Sequence, residues 1–147
     1  MSVGITNPSE KYFKDGLWTF DGSVWRPQTQ LFGVRDAVAE AVNVASAPTN
    51  PYTMSFTVVP AGEWHIVTFV SASNWTDASF TAIIIASING VMLNLKRQDA
   101  ITTGLQLEFN GWVVLTPGDR MQIYFDNGAV GNNLKGWLAG FKMMIGD

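Results

Sequence analysis

The sequence predicts an all-β protein, an eight-stranded jelly-roll β-sandwich preceded by an N-terminal extended arm with a β-hairpin. Three observations support this class. Short runs of β-branched and aromatic residues follow one another from Thr53 onward, and turn-forming Gly, Pro and Asn residues separate the runs. An aromatic stretch early in the chain carries the turn signal of a hairpin. The length of 147 residues suits a single domain.

The hairpin is predicted in the segment DGLWTFDGSVWRP, Asp15 to Pro27. Asp21-Gly22 fits a two-residue type I′ turn, which pairs Phe20 with Ser23 and Trp18 with Trp25. Because side chains alternate along a strand, one face of this ribbon then carries Trp18, Phe20 and Trp25, and the other carries Leu17, Thr19, Val24 and Arg26. An isolated hairpin is marginal in water. We therefore expect the ribbon to lie on its own domain's core, on another copy of the chain or on a different protein.

The next segment, DAVAEAVNVASA at residues 36–47, fits either a short alanine-rich helix or an edge strand. The alternation of Val38, Glu40 and Val42 favours the strand. The PTNP that follows, Pro48 to Pro51, cannot continue either element. It predicts a boundary between an arm of residues 1–47 and a sandwich of residues 48–147.

Eight strands are predicted within the sandwich, each bounded by a credible turn such as PAG, NG or TPGD. They are Thr53–Val59, Trp64–Ala72, Phe80–Ile88, Val91–Lys96, Ile101–Phe109, Trp112–Leu115, Arg120–Asp126 and Leu134–Ile145. In the last strand, Gly136 and Gly140 leave room for a close neighbouring backbone or a bend.

Several of these strands are apolar on both faces. In the second, Trp64, Ile66, Val70 and Ala72 share one face, and His65, Val67, Phe69 and Ser71 share the other. In the last, Trp137, Ala139, Phe141, Met143 and Ile145 point one way. Apolar outer faces indicate a sandwich whose outer sheet packs against other subunits.

The composition narrows the class of partner. Charged residues make up only 14% of the chain and hydrophobic residues 47%, which fits either a subunit of an assembly or a compact β-protein with a Ser/Thr/Asn surface. The net charge of −3 without a basic run argues against nucleic acid and membranes as partners. Cysteine is absent, which excludes disulfides and thiolate metal sites. We find no signal peptide and no apolar run long enough to span a membrane, so we expect a soluble cytoplasmic product.

The sequence carries no catalytic signature. His65 is the only histidine and lies within a strand, where a packing role is more typical than catalysis. Nucleophile-elbow, phosphate-loop and zinc spacings are all absent. The acids Glu63, Glu108, Asp119 and Asp126 form no recognisable pair for glycoside hydrolysis. Asp77, Asp126 and Asn127 lack the spacing of a calcium loop. We therefore expect no enzyme activity, no catalytic residues, no metal and no cofactor.

One loop residue is a candidate for contact with a ligand. Trp75 lies in the polar loop SNWTDAS, Ser73 to Ser79. An exposed indole there can stack on a sugar ring, and the alternative is an aromatic tucked over the end of the sandwich.

Four segments carry a resemblance to a known type of protein: VVPAGEWHIVTFVSA (Val58 to Ala72), ASINGVML (Ala86 to Leu93), FNGWVVLTPGDRMQIYF (Phe109 to Phe125) and GWLAGFKM (Gly136 to Met143). Together they resemble small tailed-bacteriophage virion proteins with a jelly-roll domain similar to the tumour necrosis factor fold. LWTFDGSVWRPQTQLFGV, Leu17 to Val34, resembles the tryptophan-rich leader of such proteins. The likeness covers most of the chain, and its motifs are turn and strand patterns.

This resemblance implies a head decoration or cement protein, a homotrimer on the capsid surface of a virion assembled in the bacterial cytoplasm. Its partner is then the major capsid protein or another virion protein. Our hypothesis for the aromatic hairpin is an anchor on that partner, formed by Leu17, Trp18, Phe20, Trp25 and Arg26. Two alternatives remain: a tail, neck or fibre-associated virion protein, and a carbohydrate-binding host-recognition module.

Overall fold

The computed structural model describes residues 18–20, 25–27, 36–77 and 79–144, the first two stretches by their backbone alone. The chain forms two compact units, Met1–Arg35 and Asp36–Asp147.

In the first unit, strands β1 (Trp18–Phe20) and β2 (Trp25–Pro27) pair antiparallel. The predicted hairpin strands are confirmed, but the predicted two-residue turn is wrong, because Phe20 lies opposite Trp25 and not opposite Ser23. Four residues then separate the paired positions, and loops of that length are also common in hairpins.

The second unit is the predicted jelly-roll sandwich of eight strands in two antiparallel sheets. The strands are β3 (Asp36–Val44), β4 (Tyr52–Ser55), β5 (Glu63–Asn74), β6 (Ser79–Ile88), β7 (Val91–Thr102), β8 (Gln106–Leu115), β9 (Arg120–Asp126) and β10 (Leu134–Met144). One sheet has the order β3-β10-β5-β8 and the other β4-β9-β6-β7. All connections except the β6–β7 hairpin pass from one sheet to the other, which gives the jelly-roll topology.

The set of eight strands differs from the predicted set in four places. β4 ends at Ser55 and not at Val59, and the predicted strand Ile101–Phe109 is split between β7, which ends at Thr102, and β8, which begins at Gln106. Residues 36–44 form the edge strand β3, paired along its whole length with β10, so the compact sandwich begins at Asp36 and not at Pro48. Asn110-Gly111 does not turn the chain but lies inside β8, where an irregularity in the pairing with β5 accommodates it. A glycine within a strand is typical of such bulges as well as of turns.

Turn chemistry places the loops at two ends of the sandwich. At one end lie the turns 60–62, 89–90 and 116–119, as predicted. Asn89 and Gly90 have φ of 51° and 77°, the positive values that a two-residue type I′ turn needs. Loops 45–51, 75–77, 103–105 and 127–133 lie at the opposite end, where Ala47 N donates to Asn132 O and Trp75 N donates to Asn133 O. We call this the asparagine end.

The core lies between the two sheets. Its fully buried members include Val70, Ala72, Phe80, Ile84 and Ile123. Gly136 leaves space for this packing, because a Cβ at this position would displace the ends of the Met54 and Ile123 side chains.

A β-bulge at Thr68 changes which residues of β5 face the core. The pairing with β10 skips Thr68, so that Ala139 pairs with Phe69 and Gly140 with Val67. As a result Val67 and Val70 both reach the core, and the single alternation predicted through β5 is wrong. Gly140 allows the bulge, since a Cβ on it would collide with the carbonyl oxygen of Ile66. This confirms the close backbone approach predicted for Gly140.

Candidate functional site

The outer face of the β3-β10-β5-β8 sheet is the most distinctive surface of the described residues. Leu134 and Leu138 of β10 point into the core, so the residues that alternate with them point away from it. Those are Lys135, Trp137, Ala139, Phe141 and Met143. We refer to this surface of the sheet as the outer face.

Apolar side chains occupy the middle of the outer face. In one row across the sheet, Ala37, Phe141, Ile66 and Val114 lie side by side. Neighbouring rows add Trp64 opposite Met143 and Phe69 opposite Ala139. Trp64 is 38% exposed. An apolar sheet surface turned away from the domain's own core is typical of subunit interfaces.

The two edges of the outer face differ in the size of their side chains. At the β8 edge, Trp112 is 72% exposed and Val114 48% exposed. The Trp112 ring stands edge-on to Phe141, with centroids 5.5 Å apart and an interplanar angle of 77°. At the β3 edge, the outward residues are Ala37, Ala39 and Ala41, followed by Asn43. The outer face therefore carries large side chains along β8 and small ones along β3.

Charges and polar groups border the outer face toward the asparagine end. Lys135 and Glu108 are its only charged residues within the described part of the chain, and they have opposite signs. Ser71, Ser73 and Gln106 lie around them. An apolar centre with a polar border matches the anatomy of protein interfaces.

Trp75 lies at this polar border and is held in a defined position. The Lys135 ammonium sits 4.6 Å from the centre of its ring, and the indole N–H donates to Ser73 Oγ at 2.8 Å. The Asn74 side chain fixes the loop by accepting from Thr76 N at 2.9 Å. The ring is still 51% exposed. Trp75 is thus a surface aromatic held in a defined position, and both roles considered for it, a ligand contact and an aromatic over the end of the sandwich, stay predictions.

The outer face of the opposite sheet is more polar. Gln122 Nε2 donates to Ser55 Oγ at 2.9 Å, and Thr81 Oγ1 donates to Asp99 at 3.0 Å. Arg97 forms an exposed ion pair with Asp99. The exposed hydrophobic residues of this sheet, Val91, Met92 and Leu93, lie at the start of β7.

The four acids considered for catalysis each bind different partners. Glu108 accepts a hydrogen bond from Gln106 at 2.5 Å, and Asp126 accepts from Asn127 N at 2.7 Å. Asp119 is buried and accepts from Asn89 N at 2.9 Å and from Thr116 N at 2.9 Å. These bonds lower the pKa of Asp119, the one from Asn89 N most.

Glu63 belongs to a cluster that sequence reasoning missed. It lies 2.8 Å from His65 Nε2 and 3.4 Å from Lys142 Nζ. The hydrogen bond to His65 is the main reason that the pKa of Glu63 is lowered. The cluster lines an open cavity of about 380 Å³ together with Glu40 and Thr57. The spacing of Glu63 and His65, two apart on one strand, was the available sequence signal; Lys142 enters only through the pairing of β10 with β5.

The residues considered and rejected for calcium binding form hydrogen bonds with their neighbours. Asp77 accepts a hydrogen bond from the Asn132 side chain. Asn127 Nδ2 donates to Thr81 Oγ1 at 2.8 Å. Among the described residues, no group of three or more His, Cys, Asp or Glu side chains is arranged to hold a metal ion. No helix of the described part is long and apolar enough to cross a membrane.

The predicted anchor falls outside the described side chains. The backbone pairing of β1 with β2 includes the positions of Trp18, Phe20, Trp25 and Arg26, and Leu17 lies outside the described residues. The anchor stays a prediction.

Comparisons with known proteins give fold likeness only. No protein-family model matches the chain, and no curated protein matches it. Among solved structures, it is similar to a protein of the disulfide-linked pili that form Bacillus endospore appendages, with 13% identity, a TM-score of 0.43 and coverage of 78% of this chain and 94% of that one.

Two further solved structures are similar. The nucleoplasmin-like N-terminal domain of Drosophila FKBP39 has 13% identity and a TM-score of 0.41, covering 76% of this chain and 93% of that domain. A pentameric capsid protein from metagenomic phage sequences has 16% identity and a TM-score of 0.37, covering 74% of this chain and 62% of that one. Likeness at this level carries no argument about function.

Proposed function

We propose that the chain is a structural protein of a tailed-bacteriophage virion, a head decoration protein that binds the capsid surface as a homotrimer. The observation that carries this proposal is the outer face, which brings the exposed side chains of Trp64, Trp112 and Val114 together on one sheet surface, whereas the exposed hydrophobic residues of the other sheet, Val91, Met92 and Leu93, lie at the start of β7. The low fraction of charged residues and the resemblance of the strand and turn motifs to small phage virion proteins support it.

Cementing a capsid requires contacts and no chemistry. A trimer presents three copies of each binding element on one rigid body, so that several individually weak contacts must break together before it leaves the capsid. In this proposal the aromatic hairpin around Trp18 and Trp25 makes the contact with the capsid. Buried tryptophans are the residues that most often dominate the free energy of an interface.

The test uses heads of the phage that encodes the chain, prepared from a deletion of its gene. We expect added protein to sediment with the heads, to saturate at a fixed ratio and to raise the temperature at which the heads release DNA. Trp18→Ala should weaken binding by at least about 30-fold if the hairpin is a hot spot. Trp75→Ala, at the other candidate contact, is the matched control and should bind normally.

Other outcomes of this experiment separate the alternatives. Binding to tails or necks, with none to heads, would replace the decoration role by a tail-associated role. Binding to neither, together with glycan binding that Trp75→Ala abolishes, would favour a host-recognition module. The specific observation behind that second candidate is the exposed and immobilised Trp75 ring. Unchanged head binding by folded Trp18→Ala would remove the hairpin from the interface.

A further inference from the structure

We propose that the start of strand β7 pairs with the same strand of a second copy of the chain, antiparallel and about a two-fold axis at Leu93. β7 ends the order of its sheet, β4-β9-β6-β7, so one of its edges has no strand partner within the described part of the chain. Pairing there joins two sheets into one continuous sheet, a mode in which backbone hydrogen bonds provide the affinity. This inference goes beyond the proposed function and uses neither the aromatic hairpin nor the outer face.

The register of the β6–β7 hairpin shows which backbone groups of this edge are free. The two-residue turn 89–90 makes Val91 a hydrogen-bonded partner of β6. Hydrogen-bonded and non-hydrogen-bonded pairs alternate along an antiparallel ladder, so Leu93 also bonds to β6. Met92 and Asn94 lie between these positions and direct their N–H and C=O groups away from β6. These are the groups that a further strand would bind.

The first residues of β7 do not protect this edge. Natural edge strands are usually short, charged or interrupted by bulges. β7 has 12 residues, and its first charged residue, Lys96, and both irregularities of its pairing with β6 come after Asn94. Before them, Val91 is 58% exposed, Met92 61% and Leu93 45%. An exposed apolar edge of this kind is a site at which another strand adds.

The edge is complementary to itself when Leu93 lies opposite Leu93 of the second copy. Met92 of each copy then faces Asn94 of the other, and both of these pairs can exchange two hydrogen bonds through the free backbone groups. The two Leu93 side chains form a non-hydrogen-bonded pair, in which side chains lie closest. Lys96 falls at the uncharged turn 89–90 of the other copy. Like charges therefore stay apart.

Other two-fold registers use the edge less well. With the axis at Met92, Asn94 lies opposite Gly90, which belongs to the turn and not to the strand. With the axis at Asn94, Lys96 lies opposite Met92, so that an ammonium group is paired with an apolar side chain. The contact at Leu93 is still small, below the area of about 1,200 Å² at which stable interfaces begin. We therefore expect a weak association that is visible at high chain concentration.

The first experiment uses single cysteines, since the chain contains none. In the proposed register Leu93→Cys lies opposite itself at a Cα separation of about 4.5 Å, within the range of a disulfide. Met92→Cys, at the more exposed neighbouring position, is about 8 to 9 Å from itself, beyond that range. After mild oxidation of the full chain we expect covalent dimers of Leu93→Cys to form at least about 10-fold faster than those of Met92→Cys. In urea that unfolds both variants, the two rates should be equal.

The second experiment measures mass in solution by light scattering during size exclusion, over a range of chain concentrations. The wild type should approach at least twice the mass of Leu93→Lys, because this variant places two ammonium groups opposite each other at the axis. The comparison holds whether the smaller species is one chain or the trimer of the proposed function. Val130→Lys is the matched control and should behave like the wild type, since Val130 is 67% exposed at the asparagine end. Circular dichroism verifies that both variants are folded.

Two results would overturn the inference. If Leu93→Cys cross-linked no faster than Met92→Cys, β7 would not pair in the proposed register. If folded Leu93→Lys had the mass of the wild type at every concentration, this edge would not bind a second copy. Neither measurement uses phage heads, so a failure to bind heads would retire the decoration role and leave this inference intact.

Discussion

Asp119 offers the sharpest test of how the turns at one end of the sandwich are held. Its carboxylate is 2% exposed and accepts from the backbone of two separate turns, Asn89 N at 2.9 Å and Thr116 N at 2.9 Å, as well as from Thr116 Oγ1 at 3.0 Å. Asp119→Ala removes all three bonds and leaves two backbone donors without an acceptor. Each such loss costs about 1 to 3 kcal/mol. Water reaches Asn89, so we expect a loss of about 2 to 4 kcal/mol.

The assay is urea unfolding followed by tryptophan fluorescence, at pH 7 and at lower pH. The pKa of Asp119 in the folded chain is below its usual 3.8. Its stabilisation is therefore fully present above the pKa of the unfolded chain and is lost as the pH falls through the folded pKa. The difference in the free energy of unfolding between wild type and Asp119→Asn should accordingly become smaller below about pH 4. Asp36→Asn, at an exposed carboxylate at the start of β3, is the control.

Two results would refute this reasoning. A loss of less than about 0.5 kcal/mol for Asp119→Ala would mean that the turns do not depend on the carboxylate. If the difference in the free energy of unfolding between wild type and Asp119→Asn increased in acid, the direction of the pKa shift of Asp119 would be wrong.

Three further predictions use the same unfolding assay. Gly140→Ala should cost more than about 3 kcal/mol or prevent folding, because the new Cβ collides with the Ile66 carbonyl; a loss under about 1 kcal/mol would contradict the bulge geometry. Gly90→Ala should cost about 1 to 2 kcal/mol, since its φ of 77° is unfavourable for alanine while open space surrounds it, and an unchanged midpoint would argue against the type I′ turn. Glu63→Gln should flatten the dependence of stability on pH below 4.5, since the lowered pKa of Glu63 makes its contribution disappear as the pH falls through the folded value; an unchanged pH profile would show that the pairing with His65 and Lys142 contributes nothing.

Local rules explain why much of the fold was predictable. Glycine and asparagine accept positive φ, and proline fixes φ, so these residues predict the turns at Asn89-Gly90, 60–62 and 116–119. These turns separate several of the strands. Gly140 was predicted to allow a close backbone, which the overlap with Ile66 confirms. The apolar outer strand faces were also visible, because alternation along Trp137, Ala139 and Phe141 is a property of the sequence itself.

Other features depend on pairing between distant segments. The strand at residues 36–44 is part of the sandwich because β10 pairs with it, although the prolines after it suggested a boundary. The bulge at Thr68 places Val67 and Val70 on the same side of the sheet. Regular alternation along one strand would place residues three positions apart on opposite sides. Lys142 meets Glu63 across two strands that are far apart in the chain.

By itself, then, the sequence determined the all-β class, most strand and turn positions and the apolar character of the strands, since each of these depends on neighbours along the chain. Only the tertiary structure decided the strand order, the positions of the bulges and the fact that Trp112, Phe141 and Ala39 lie on one outer face. The physical reason is that register is set by backbone pairing and core packing between segments, and a shift of one residue reverses every face.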